Sequence, residues 1–115
     1  MSDPRNITVK RGDTTPLPLT FTDENGNAID ITGWTIYFTV KAKIDDEDND
    51  AKIKKDVTTH SDPTNGKTVI TLSSSDTSID PGNYYYDIQV KTNTGEIYTP
   101  LEGNFIVRPD ITKRV

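Results

Sequence analysis

One stretch constrains the fold more than any other. From Asp80 the chain reads Asp-Pro-Gly-Asn-Tyr-Tyr-Tyr-Asp-Ile-Gln-Val. Pro81 sets φ for the second position of a turn, and Gly82 tolerates the positive φ that follows. Alternation begins at once. Tyr84, Tyr86, Ile88 and Val90 share one face, while Tyr85, Asp87, Gln89 and Lys91 share the other. A period of two with one apolar and one wet face is a half-buried strand. Such a face needs a second layer to cover it, and Trp34 to Val40 is the best match for that opposing layer.

The rest of the chain repeats the pattern. Ile7 to Lys10 alternates and ends at Gly12-Asp13. Leu17, Leu19 and Phe21 alternate with Pro18, Thr20 and Thr22, and Pro16 and Pro18 place that strand's start on a sheet edge. Asn25-Gly26 centres a turn, and Ala28 to Thr32 crosses over to Gly33. Trp34, Ile36, Phe38, Val40 and Ala42 form the longest alternating set, with Tyr37 facing the other way. Ala51 to Val57 resumes the alternation, so the acidic run Asp45 to Asp50 reads as a solvated, extended hairpin tip. A turn-rich loop from His60 to Gly66 precedes a strand at Thr68 to Leu72. Ser73 to Ser78 suits a short helical turn. A hairpin at Asn93-Thr94-Gly95 leads to a last strand, with a bulge or edge switch at Pro100 to Gly103 and its end at Phe105 and Val107.

About eight short strands, regular turns and no long helix predict an all-β antiparallel sandwich of 7–8 strands. A small closed barrel is the competitor. The 115 residues suit one domain. We expect it to span 1–110, with a tail or linker start at 111–115. Trp34, Phe38, Tyr84, Tyr86, Ile88 and Phe105 are the expected core. Tyr37 and Tyr85, facing outward, are candidate interface residues.

The residues point away from catalysis. There is one histidine, His60, in a loop expected to be exposed, and there is no cysteine. That removes disulfides, thiolate metal sites and two-histidine metal sites. Ser73 to Ser75 have no base placed beside them. Acidic residues fall mostly in turns, where water keeps a carboxyl near its ordinary pKa, so paired-carboxylate hydrolysis is disfavoured. Asp45, Asp46, Asp48 and Asp50 form a weak calcium candidate. Without the glycine and terminal glutamate of a helix-flanked loop, a solvated tip is the better reading. No cofactor is expected. A net charge of −5 with dispersed lysines argues against nucleic acid. No apolar run suits a bilayer span.

Several segments, taken in order, resemble a known family. They are Ile7 to Leu17, Phe21 to Asn27, Asp30 to Trp34, Pro81 to Ile88 and Gly103 to Thr112. Together they are similar to the N-terminal immunoglobulin-like domain of the tailed-phage baseplate upper protein family. Asp80-x-Gly82-x-Tyr84 also resembles the tyrosine corner of immunoglobulin-like sandwiches. The resemblance implies an immunoglobulin-like fold and a non-enzymatic virion part, made in the bacterial cytoplasm and located in the phage tail. Its role would be to attach a receptor-binding or fibre component to the baseplate, with other tail proteins as partners and homo-oligomerisation as a candidate state. The alternative read from the outward tyrosines is a carbohydrate-binding or host-surface adhesion domain.

Overall fold

The computed structural model describes residues 3–112. It contains eight strands: β1 (Asp3–Pro4), β2 (Ile7–Lys10), β3 (Thr15–Thr20), β4 (Thr35–Lys41), β5 (Ile53–Val57), β6 (Lys67–Leu72), β7 (Gly82–Lys91) and β8 (Ile97–Arg108). One helical turn, α1 (Ser74–Thr77), follows β6. The large curled sheet runs β1-β8-β7-β4-β5, with β2 following β1 along the same edge of β8; β3 and β6 form a separate pair. The protein is an all-β sandwich.

Alternation places the core. On β4, Ile36, Phe38 and Val40 are fully buried, and on β7 so are Tyr86, Ile88 and Val90 or nearly so. The same side receives Phe105 and Val107 from β8. Leu17 and Leu19 of β3 and Ile70 and Leu72 of β6 pack against it from the small sheet. Phe38 is central, with ring centroids 5.7 Å from Tyr86 and 6.0 Å from Phe105.

Two expectations change here. β4 does not oppose β7. It is β7's hydrogen-bonded neighbour, with Ile36 opposite Val90 and Val40 opposite Tyr86. Period-two patterning identifies a strand's buried face but not its partner, and two equally apolar strands can share a sheet as readily as face one another. The covering layer is β3–β6. Trp34, expected in the core, is only partly buried against it. It sits half-buried just before β4, against Phe21 at 6.0 Å.

The sheet is also not wholly antiparallel. β1 and β2 both pair in parallel with β8. Between them, Arg5 N–H donates to the Glu102 carbonyl, and the Asn6 side-chain carbonyl accepts from Asn104 N–H. Gly103 permits this crossing, because a Cβ there would collide with the Arg5 carbonyl. β8 itself is continuous, and the expected irregularity is a register shift opposite Ile88 to Val90.

The ends of the small sheet are tied down locally. Ser73 and Asp76 form a reciprocal capping box on α1. Lys55 of β5 reaches Asp76 at 2.6 Å, joining the large sheet's edge to α1. Burial works to raise the Asp76 carboxyl, but the Lys55 ammonium and the Ser73 N–H and hydroxyl outweigh it and hold the pKa below the usual range. Gly66 closes the β6 entry with φ +73°, and a Cβ there would lie 2.5 Å from the Phe21 carbonyl. The tail is described only through Thr112. Ile111 is exposed, and Lys113 to Val115 lie outside the described residues.

Candidate functional site

The outer face of the large sheet carries an open trough of about 580 Å³. Four strands build it, and the alternation that buries Phe38 and Tyr86 turns Tyr37 and Tyr85 into it. Register fixes the layout in three rows. Tyr37 lies between Asp56 and Gln89. Thr39 lies between Lys54 and Asp87, with Glu102 next to Asp87. Lys41, Tyr85 and Asn104 form the third row. The structure thus brings the two candidate interface tyrosines into one depression. Tyr85 is 43% exposed and Tyr37 half-buried.

Ile44 overhangs this trough and is 74% exposed. Reading the sequence missed it, because it falls between strand and acidic run and belongs to neither pattern. The amide groups of Gln89 and Asn104 were also not singled out. Their signal was available, since Gln89 shares Tyr85's face by simple parity.

The acidic run beside Ile44 is not extended. Asp46 N–H donates to the Lys43 carbonyl and Asp50 N–H to the Glu47 carbonyl, with a 3₁₀ turn at Asp48–Asp50. Asp46 is further committed, accepting from Lys43 N–H at 3.1 Å. Local turn hydrogen bonds thus outweigh repulsion that solvent screens. The Asp48 side chain lies outside the described ones. Among the described residues no three carboxylate or imidazole groups converge on a metal-sized site.

His60 is not an exposed loop residue. It is half-buried, and its Nε2 lies 2.8 Å from the Trp34 carbonyl and Nδ1 2.9 Å from the Thr68 hydroxyl. A carbonyl only accepts, so Nε2 carries the proton, and a neutral ring accepts from Thr68 at Nδ1. The histidine staples the start of β4 to β6. Ser73 serves the capping box, and Ser74 donates to the Gly12 carbonyl at 2.7 Å. The inward tyrosines are likewise committed. Tyr84 Oη donates to the Asp80 carbonyl at 2.5 Å, the hydrogen bond of a tyrosine corner. Tyr86 Oη donates to the Arg5 carbonyl at 2.6 Å. Burial pushes both hydroxyls above their ordinary pKa, with the Asp80 charge adding to the effect at Tyr84. Both therefore stay protonated donors.

Phe38, Tyr84, Tyr86, Ile88 and Phe105 all sit in the buried cluster, while Trp34 packs on its rim. What remains outward is a mixed aromatic, amide and charged surface. The model of the BppU N-terminal domain family matches residues 2–114. The chain belongs to that family. Its members are domains of the phage baseplate upper protein, which makes this chain a phage baseplate structural domain and places it with other tail proteins in the virion tail. No curated protein matches the chain. Among the described residues no helix is long and apolar enough to cross a membrane.

Proposed function

We propose that the domain is a non-enzymatic attachment module that links a receptor-binding or fibre component to the tail baseplate through protein–protein contacts. The observation carrying this reading is the family match over nearly the whole chain. An immunoglobulin-like ancestry is supported by the Tyr84 corner. The adhesion alternative uses another face, the Tyr37–Tyr85 trough, and is compatible with attachment elsewhere.

The small sheet supplies an edge for such attachment. Phe21 N–H donates to the Gly66 carbonyl, so odd-numbered residues of β3 face β6 and even-numbered ones face away. Pro16 and Pro18 hold two of the strand's three outward positions and remove their N–H donors. That edge is guarded. On β6 the outward residues are Lys67, Val69 and Thr71, and Lys67 is already bridged to Asp62. Val69 and Thr71 are left as an uncharged edge on which an extended segment of another tail protein can add.

The test is light scattering on mixtures with the tail proteins encoded beside this chain. A defined complex is expected, and failure to associate with any of them overturns the attachment reading. Thr71→Pro blocks the edge without touching the β3 ladder, and it should weaken the complex about tenfold. An undiminished complex would move the contact elsewhere.

A further inference from the structure

We propose that the Tyr37–Tyr85 trough is a binding site for a short neutral oligosaccharide. The placement of the two rings carries the idea. Tyr37 pairs with Gln89 and Tyr85 with Lys41, so the rings stand on adjacent strands four positions apart along the sheet. At the rise of a strand that is about 13 Å. This is longer than one pyranose ring and suits a short chain of them. Each phenol offers a flat apolar face with a polar tip, the surface on which the C–H side of a sugar ring rests.

The floor between the rings supplies what hydroxyls need. Thr39, Gln89 and Asn104 are neutral groups that donate and accept, and Asp56 accepts. A trough of about 580 Å³ is the size of a small-ligand site. Its shape is open, which suits a polymer entering from either end. Charge selects among sugars. Lys41 and Lys54 face Asp56, Asp87 and Glu102 across the lining, leaving it slightly acidic on a chain of net charge −5. An anionic polysaccharide would meet net repulsion, and a neutral one would not. Ile44, overhanging one side, would cover an apolar sugar face or an N-acetyl methyl. None of this uses the β6 edge, so saccharide binding and protein attachment are separable.

The experiment is a titration of the ¹⁵N-labelled protein with cellotriose, maltotriose and chitotriose, with sialyllactose as the anionic control. At least one neutral trisaccharide should saturate the amide shifts of Tyr85, Gln89 and Asn104, and glucose or N-acetylglucosamine should bind at least about tenfold more weakly. Tyr85→Ala should weaken binding about tenfold, and Tyr85→Phe should restore most of it. Gln89→Ala, an exposed-face change, provides a second variant that leaves the core untouched and should also weaken binding. The proposal is overturned if no neutral trisaccharide shifts these amides, if binding ignores Tyr85 and Gln89, or if sialyllactose binds best. It is equally overturned if a tail protein, and no sugar, protects this face.

Discussion

Tyr86 combines two contributions in one side chain. Its ring packs on Phe38, and its hydroxyl anchors the Arg5 carbonyl of the N-terminal segment. Tyr86→Ala should therefore cost roughly 3–5 kcal/mol, as other large core truncations do. Tyr86→Phe should cost about 1–2 kcal/mol, since it leaves that carbonyl unpaired. Urea unfolding of both variants checks the pair, and a loss under about 1 kcal/mol for Tyr86→Ala would contradict the burial. His60 acts in the same way between the Trp34 carbonyl and the hydroxyl of Thr68, a residue only 1% exposed. His60→Ala should destabilise by about 1–3 kcal/mol, read as a lower urea midpoint at unchanged m-value. At this scale the buried aromatics were legible by parity. The histidine was not, because a residue flanked by Thr and Ser in a loop carries no periodic signal of the groups it meets.

Between elements, two local junctions add to the packing of the core. The first is Lys55 with Asp76. The Asp76 pKa is lowered in the folded state. A depressed carboxyl contributes stability that is present above its unfolded value, about 3.9, and is lost as pH falls through the folded value. The melting-temperature gap between the native protein and Asp76→Asn should thus be steady from about pH 7 to pH 5 and close as pH falls below about 4. A gap that widens in acid would refute the junction. The second is the passage of Arg5 over Gly103. Gly103→Val should push the N-terminal segment off β8, with faster amide exchange at Arg5 and Ile7 and slow exchange preserved at Phe38. The hairpins and the α1 cap were readable from turn residues and Ser/Asp spacing. The parallel pairing of β1 and β2 was not, since strand direction is set by which edge of β8 lies open after folding.

For the whole molecule, the family and the sandwich class were both legible in the residues. Ordered turns and alternating strands over nearly the full length carry them, and the matched span of 2–114 agrees. Parity along Tyr84 to Lys91 and along Thr35 to Lys41 sorted buried side chains from outward ones, because a strand's two faces are dictated by its own backbone, whereas Ala42, read onto the same apolar face, lies past the strand's end and is exposed. The trough shows the other side of that limit. Tyr37 and Tyr85 lie 48 positions apart in number, and nothing local brings them together. That required β4 and β7 to be neighbours, in a register that sets Lys41 beside Tyr85. Strand order and register depend on which apolar faces pack best together and which edges stay open, and these are properties of the assembled core. The sequence by itself therefore determined that Asp80 to Val90 is a two-faced strand in a sandwich of this family. Only the tertiary structure decided that its wet face, joined to that of β4, makes a single site.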